Sequence, residues 1–304
     1  MSPPGADRSY RFGDAEPVGE GARRIARGRA EKAVERLRAI DSGELEASKA
    51  IHGARKDLKK LRSLLRLLRG ELPKKLYAEE SRRYRDAGRM LSPLRDAEVK
   101  LGTLEALAGS EPDLPAGAVE PWRLILERDR EATGDTAPDR AGEAEAIRLI
   151  EAGLAGIERW RARDSWKAIG PGLDRSYRRG RRRMRIAHEQ GGEEAWHEWR
   201  KRAKDLWYEH LLLAGAWPGP LKTAAEEAHR LSEALGNHHD LALLRADLRG
   251  RRLGEAETRA LGAAIDRRQE ELAAVALDLG ARLYAERPQD FSRRLRRYWE
   301  AWRG

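Results

Sequence analysis

The stretch IHGARKDLKKLRSLLRLL, residues 51–68, carries an apolar side chain at alternating intervals of three and four positions. The apolar positions are Ile51, Ala54, Leu58, Leu61, Leu65 and Leu68. This spacing predicts an α-helix with one apolar stripe that packs against other helices. On a face roughly opposite that stripe the same helix would carry His52, Arg55, Lys56, Lys59, Ser63 and Arg66. The stretch therefore predicts a helix that builds the fold with one side and presents cations with the other.

The pattern returns later in the chain as WHEWRKRAKDLWYEHLLL, residues 196–213. The shared motif is His-x-x-Arg-Lys-x-x-Lys, carried first by residues 52–59 and then by residues 197–204, an offset of 145 positions. A second similarity has almost the same offset, because the Leu-Arg-Asp sequence ending at Asp96 corresponds to the His-His-Asp sequence ending at Asp240, 144 positions later. Two similarities at nearly one offset indicate an internal duplication. We therefore expect two helical bundles related by a pseudo-two-fold axis.

The composition favours an all-α protein. Of the 304 residues, 37% are charged and 40% are hydrophobic, and the chain is rich in Leu, Ala, Arg and Glu, which are good helix formers. No segment shows the consistent alternation of apolar and polar residues that is typical of a half-buried strand. We predict a disordered N-terminal tail at residues 1–14, a first helical bundle at about 15–142 and a second at about 143–304.

Several classes of protein are disfavoured by what the sequence lacks. There are no cysteines, which excludes disulfides, thiolate catalysis and cysteine-ligated zinc. The polar, Pro- and Gly-rich N-terminus has no apolar core of the signal-peptide type. No apolar run reaches the roughly 18 residues that a membrane span needs. We expect a soluble cytoplasmic protein without a membrane partner, and the sequence leaves its oligomeric state open.

The positive charge of the chain is concentrated in two segments. The formal net charge is +10. Residues 51–70 contain seven Lys or Arg and one Asp, and residues 172–185 contain seven Arg and one Asp. Like charges three or four positions apart destabilise an isolated helix by a few tenths of a kcal/mol per pair, about 0.2–0.5. Such faces therefore indicate a partner that supplies negative charge, and a polyanion fits best.

A basic run on a helix is most often a solvated surface, but the duplication of this run together with its histidine favours a function. Arginine offers forked donors to phosphate, lysine a mobile point charge, and even a neutral histidine one N–H group. Two further clusters, which precede the two motifs, are expected to line the same surface. The candidate anion-binding residues are Arg24, Arg27, His52, Arg55, Lys56, Lys59, Arg62, Arg66, Arg178, Arg181, Arg182, Arg185, His197, Arg200, Lys201 and Lys204.

These motifs resemble the CHAD domain, an α-helical domain named for its histidines. The resemblance rests on the two histidine motifs, on the segments ending at Asp96 and Asp240, and on the Tyr-Arg-Arg-Gly-Arg run at 177–181, and it covers roughly residues 15–302. It implies two four-helix bundles with pseudo-two-fold symmetry, a basic surface and a central pore. It also implies binding of inorganic polyphosphate and, in bacteria, association with polyphosphate granules. The family often follows a triphosphate-tunnel β-barrel, whose Glu-x-Glu-x-Lys signature is missing here, so a stand-alone CHAD protein is expected.

The two copies of the motif differ in charge at one position. Asp205 stands in the second copy where Lys60 stands in the first, so the second stripe is less basic. This difference predicts that the first copy binds an anion more strongly than the second.

Three functions are compatible with these patterns. We expect first a non-catalytic polyphosphate-binding protein without a cofactor or metal. Nucleic-acid binding is the alternative, because basic helices also bind phosphodiesters and nine tryptophans could stack on bases, although Trp196 and Trp199 occupy core positions. A metal-dependent phosphohydrolase is the third, with ligands from His238, His239 and Asp240. Adjacent helical side chains point about 100° apart, which disfavours a shared ion.

Overall fold

The computed structural model describes residues 7–135, 140–250 and 254–304, apart from the side chains of residues 93–97, 133–135 and 140. Within these ranges the protein consists of eleven α-helices and contains no β-strand, which confirms the all-α prediction. None of these helices is long and apolar enough to cross a membrane. The helices are α1 (Val18–Asp41), α2 (Ala47–Leu67), α3 (Lys74–Met90), α4 (Pro93–Ser110), α5 (Ala116–Asp135), α6 (Arg140–Ile157), α7 (Trp166–Gln190), α8 (Glu193–Leu213), α9 (Pro218–Gly250), α10 (Glu255–Leu283) and α11 (Pro288–Arg303).

Helices α1, α2, α3 and α6 form one packed group, in which α1 and α3 each contact both α2 and α6. The apolar stripe of α2 faces the interior as predicted. Its members Ile51, Ala54, Leu58, Leu61, Leu65 and Leu68 are all 2% exposed or less. Full burial of one leucine contributes about 1.5–3 kcal/mol, so this stripe is a main source of stability in the group.

The second group is built on α7, α8, α9 and α10. Helix α8 contacts α7 and α9, α10 contacts α9, and α11 contacts α7. Helices α4 and α5 also belong here, since α4 packs against α9 and α5 packs against α10. One hydrophobic core runs through both groups.

The chain does not divide between the groups at residue 142, where the sequence predicted the first bundle to end. Helices α4 and α5 precede that position but pack on the second group, and α6 extends beyond it but packs on α1 and α3. An amphipathic helix buries its apolar face wherever a complementary face is exposed, and that need not be its own half of the chain. The pseudo-two-fold relation between the halves stays a prediction.

Helix α8 lies where the two groups meet, because it contacts α2 as well as α7 and α9. Its predicted stripe is buried, with Trp199, Ala203, Leu206 and Leu213 all 2% exposed or less. His210 fills the remaining stripe position, and its Nδ1 lies 2.8 Å from the carbonyl oxygen of Leu206. The second motif therefore stands on a helix that contacts both groups.

Helix α9 is continuous over 33 residues, from Pro218 to Gly250. It runs through Gly236, although glycine costs about 1 kcal/mol in a helix interior relative to alanine. Packing offsets this cost: Gly236 is buried, and His238 stacks against Trp196 with a ring separation of 4.8 Å.

Part of the predicted N-terminal tail is packed against the helices. Within residues 7–14 the structure places Phe12 in the core at 1% exposure, and its N–H donates to the carbonyl of Leu212 at 3.0 Å. The Tyr10 hydroxyl donates to the carbonyl of Lys60, also at 3.0 Å. The prediction of disorder is corrected for these residues. The segment is mostly polar, but two large aromatic side chains are buried and hold it against the helices. Residues 1–6 of the predicted tail lie outside the described residues.

Candidate anion-binding site

A cavity of about 430 Å³ lies between α2 and α8, and side chains of α4 and α9 complete its wall. Its lining residues are His52, Arg55, Lys59, Arg62, Arg66, Val99, His197, Arg200, Lys201, Arg202, Lys204, Asp205, Tyr208, His239, Asp240 and Leu243. Eight of these are Arg or Lys, three are His and two are Asp. The fold thus brings the two copies of the sequence motif onto one cavity.

The α2 side of the cavity is one narrow face of the helix. Its members His52, Arg55, Lys59, Arg62 and Arg66 follow one another at alternating intervals of three and four positions. At about 100° per residue they span an arc of about 80°. This arc lies beside the leucine stripe and not opposite it, which corrects the orientation expected from the sequence.

Lys56 is the member of the α2 motif that lies outside the cavity. It stands directly opposite the apolar stripe, so its side chain is exposed. Its Nζ lies 5.8 Å from the centre of the Trp207 ring, in the range of a weak cation–π contact.

Arg55 connects the cavity to the end of α3. Its Nη1 donates to the backbone carbonyls of Gly88 and Leu91 at 3.2 and 2.9 Å, and to the Ser92 hydroxyl at 2.6 Å. The last carbonyls of a helix have no partner within the helix, so Arg55 caps α3 while it lines the cavity. Its orientation is therefore fixed by the fold.

On α8 all four motif residues, His197, Arg200, Lys201 and Lys204, reach the cavity. Lys201 forms an ion pair with Glu198, one turn earlier on the same helix. The two copies of the motif therefore contribute different residues to the cavity, because Lys56, the α2 residue equivalent to Lys201, is exposed outside it.

Asp205 lies at the base of the cavity and is 1% exposed. Its carboxylate pairs with Arg66 of α2 and, at 2.9 Å, with Arg202 of its own helix. A carboxylate buried this deeply needs such partners, because an unpaired buried charge is strongly destabilising. Asp205 thus links the two motif helices.

Lys60, the counterpart of Asp205 in the first copy, lies away from the cavity, with its Nζ 5.0 Å from the centre of the Tyr10 ring. Burial, with the charge of Arg29 next in importance, lowers the pKa of Lys60 to about 8. The comparison of these two positions therefore does not compare two sides of one site. The stronger binding predicted for the first copy stays a prediction.

Desolvation lowers the pKa of two cations of α8, Lys204 and Arg200. Burial, together with the positive charges of Arg200, Lys59 and Arg55, lowers the pKa of Lys204 to about 6, while Asp240 opposes the shift. Burial also lowers the pKa of Arg200. Removing water from a cation disfavours its charged form. An anion that enters the cavity would therefore stabilise the charged forms of these side chains.

One histidine of α8 meets one histidine of α9 at the cavity. The rings of His197 and His239 lie 4.2 Å apart, while His238 turns away to stack on Trp196. Burial and the charge of Arg200 lower the pKa of His239 to about 3. In the part of the chain that the structure describes, no group of three or more His, Asp or Glu side chains is arranged to hold a metal ion.

Arg24 and Arg27, predicted as binding residues, are not brought to the cavity. Arg24 forms an ion pair with Glu16 at 2.6 Å and donates to the carbonyl of Arg11 at 2.8 Å, which holds the N-terminal segment on α1. Arg27 forms an ion pair with Glu158. Both arginines have carboxylate partners that the sequence pattern did not reveal.

The arginine cluster of α7 also lies elsewhere. Arg178, Arg181, Arg182 and Arg185 line a separate cavity of about 700 Å³ between α7 and α10, whose floor is apolar. Arg178 pairs with Asp174 one turn earlier. Any role of these four arginines in binding the same anion stays a prediction.

Sequence reasoning missed several residues that line the cavity, among them Arg202, Tyr208 and His239. Arg202 lies five positions after His197, whereas residues that share a helix face are spaced by three or four positions. Nothing in the sequence therefore indicates that Arg202 lines the cavity. His239 could have been predicted from the sequence, because it lies in the second duplicated segment. The side chains of the matching segment at 94–96 lie outside the described residues.

Comparison with known proteins agrees with the fold and the motifs. The family model of the CHAD domain matches residues 28–249. The chain belongs to the CHAD domain family. This family is associated with polyphosphate binding.

Two solved structures resemble this CHAD domain. One is the CHAD domain from the plant Ricinus communis, with a TM-score of 0.61 and 18% identity over 94% of this chain and 98% of that one. The other is PptA from Streptomyces chartreusis, with a TM-score of 0.62 and 15% identity over 89% of this chain and 100% of that one. A comparison with curated proteins gave no match. At these identities the likeness shows the shared fold.

Proposed function

We propose that this CHAD domain binds inorganic polyphosphate in the cavity between α2 and α8, and that it does so without cleaving the chain. The observation that supports this most directly is the convergence of eight Arg and Lys side chains on one cavity. Two aspartates accompany them there, and Asp205 is already engaged by Arg66 and Arg202. The described lining therefore has a net positive charge that an anionic chain would neutralise.

Polyphosphate matches this lining chemically. The chain is flexible, carries close to one negative charge per phosphate, and has neither a base nor a ring. Guanidinium groups offer paired donors to phosphate oxygens and lysines offer mobile point charges. By analogy with nucleic acids, such binding should weaken steeply as salt increases, because counterions are released.

Nucleic acid remains the competing ligand, but the aromatic side chains do not favour it at this cavity. Proteins that bind single strands without sequence preference stack bases on exposed aromatic rings. Trp122, Trp160 and Trp199 are 1% exposed or less, and Tyr208, which lines the cavity, is 2% exposed. We therefore treat DNA and RNA as competitors in the test.

The central test compares two lysines of one helix. Lys59→Ala removes a cation from the cavity, whereas Lys56→Ala removes one from the same helix outside it. A hydrogen bond to a charged group contributes about 1.5–3 kcal/mol, so Lys59→Ala should weaken polyphosphate binding about tenfold or more. Lys56→Ala should change the affinity less than about twofold, since exposed ion pairs contribute about 0–1 kcal/mol. Titration with labelled polyphosphate at several salt concentrations measures both.

Circular dichroism and thermal unfolding of the two variants provide the control for folding. Equal effects of the two substitutions in folded protein would remove the cavity from the proposal. Displacement of labelled polyphosphate by duplex DNA as effective as by free polyphosphate would instead favour nucleic-acid binding.

The proposal that binding occurs without cleavage has its own assay. Phosphate release from polyphosphate is measured with added Mg²⁺ or Mn²⁺. Release that disappears in a His239→Ala variant would show that the protein is an enzyme. Association with polyphosphate granules, which we also propose, is tested by imaging a fluorescent fusion in cells with and without polyphosphate.

A further inference from the structure

Lys204 lines the cavity and is surrounded mainly by other positively charged side chains. It lies on α8, is half-buried, and forms no ion pair with any carboxylate of the described residues. The charged groups that act on it most strongly are mostly cations. They are Arg200 on its own helix and Lys59 and Arg55 on α2.

The described side chains of the other elements around the cavity supply little compensation. Helix α9 contributes Asp240, which favours the ammonium form of Lys204, and His239, which is held neutral by burial and by Arg200. Among its described side chains, α4 contributes the apolar Val99. Lys204 therefore stands among several positive charges, with Asp240 as the carboxylate that opposes them, since the neighbouring Asp205 is paired with Arg66 and Arg202.

Such a lysine changes its charge when an anion arrives. Desolvation and neighbouring cations lower the pKa of Lys204 to about 6, so its amine is mostly neutral at pH 7 to 8 in the empty cavity. Several negative charges close to the amine would reverse the balance and favour the ammonium form. A single negative charge would first have to offset the arginines around it.

We propose that Lys204 takes up a proton when a chain of condensed phosphate enters the cavity, so that binding at this site is coupled to pH. This inference rests on the proposed function and assigns the coupling to one residue. In chemical terms, a buffer acid gives up a proton and an N–H bond forms at Nζ. The new ammonium group then donates to a phosphate oxygen.

The sign of the pH dependence follows from this exchange. The bound state holds the proton more tightly than the free state, so binding is favoured at low pH and weakens as pH rises. Between the pKa of Lys204 in the free protein, about 6, and its higher pKa in the bound state, the affinity for polyphosphate should fall by up to about tenfold per pH unit. At pH 7 to 8 the uptake should approach about one proton per site.

Isothermal titration calorimetry with long-chain polyphosphate tests this directly. Titrations at pH 7.5 in two buffers of different ionisation enthalpy give the number of protons taken up. Lys204→Arg keeps a permanent charge at the position and should lose most of the uptake and most of the pH dependence between about pH 7 and 8.5. The matched control is Lys56→Arg, which makes the same change on α2 outside the cavity and should behave as the wild type.

A second variant guards against misfolding of the first. Lys204→Met cannot gain a proton, so it should show little uptake and should bind less tightly than the wild type at pH 6.5, with the two affinities converging toward pH 8.5. The ligand is the same throughout, so titration of its terminal phosphates contributes equally to every protein.

The outcomes separate this inference from the proposed function. If the wild type and Lys204→Arg bind tightly and take up equal numbers of protons, polyphosphate binding stands and the coupling through Lys204 is overturned. If the wild type does not bind polyphosphate at any pH between 6.5 and 8.5, the proposed function itself fails.

Discussion

Glu209 illustrates how strongly a single side chain depends on its surroundings in this protein. It lies on α8 at 1% exposure, near Asp205 and the arginines that pair with it. Burial raises the pKa of Glu209 well above 4.5, and the charge of Asp205 raises it further, while Arg66 and Arg202 oppose the shift. A buried carboxyl avoids the cost of desolvating a charge by holding its proton.

A pH-dependent stability prediction follows from Glu209. Because its folded-state pKa is raised, its contribution to stability is present below about pH 4.5 and is lost as pH rises toward the folded-state value. Glu209→Gln carries no charge at any pH. We expect its free energy of unfolding, relative to the wild type, to increase steadily as pH rises from about 4.5 to 8. Urea denaturation at several pH values measures this difference.

Glu198 on the same helix supplies the opposite control. Its pKa is lowered, first by the hydrogen bond from Lys201, so its contribution is present above the unfolded value near 4.5 and is lost as pH falls. Glu198→Gln should therefore lose stability relative to the wild type as pH rises. A difference for Glu209→Gln that stays constant with pH would contradict the raised pKa.

At the scale of elements, the contact of α7 with the end of α2 depends on a missing side chain. A Cβ added at Gly172 would lie 2.1 Å from the carbonyl oxygen of Leu67. The two backbones can approach this closely because residue 172 is glycine. The approach helps to position α2, and with it the cavity face of that helix.

Gly172→Ala should destabilise the protein. The methyl group would meet backbone and not a flexible side chain, so the helices must separate, and overpacking of this kind costs about 1–3 kcal/mol. Gly102→Ala on α4 is the matched control, since nothing lies within 4 Å of its added Cβ. That control should gain up to about 0.5–1 kcal/mol from helix propensity. The urea denaturation midpoints of both variants measure the two changes in stability, and equal changes would exclude a close contact at Gly172.

At the scale of the whole molecule, the segment before α1 contacts α11, the last helix. The ring of Phe12 packs edge-on against Trp299 of α11 at 5.8 Å. Arg303, at the end of α11, donates to the carbonyl of Glu16 at 2.8 Å. The N-terminal segment thus closes the core that α8 and α11 share.

Phe12→Ala should therefore lower the stability of the whole protein. Replacing a buried phenylalanine by alanine costs about 3–5 kcal/mol, whereas Leu124→Ala, at a side chain that is 47% exposed, should cost little. Chemical denaturation measures both. If residues 7–14 were a free tail, Phe12→Ala would leave the unfolding midpoint unchanged.

The repeated patterns in the sequence predicted both motif helices and the four motif residues of α8 that line the cavity, His197, Arg200, Lys201 and Lys204. Lys56, Arg24 and Arg27 lie outside the cavity for different reasons, and their role in binding stays a prediction. Lys56 belongs to the motif by spacing, but its angle on α2 places it outside the cavity, where its Nζ lies near the Trp207 ring of α8. Arg24 and Arg27 are neutralised by Glu16 and Glu158, and the second of these pairs joins residues far apart in the chain.

The sequence by itself determined the class of fold, the buried stripes of α2 and α8 and most of the cavity cations, because helical periodicity is a local property of the chain. Only the tertiary structure decided which cations share one cavity, that α4 and α5 pack on the second group, and that Asp205 pairs with Arg66. Those outcomes depend on how helices rotate and pack against one another. Such rotations follow from the fit of whole surfaces, which no short stretch of sequence contains.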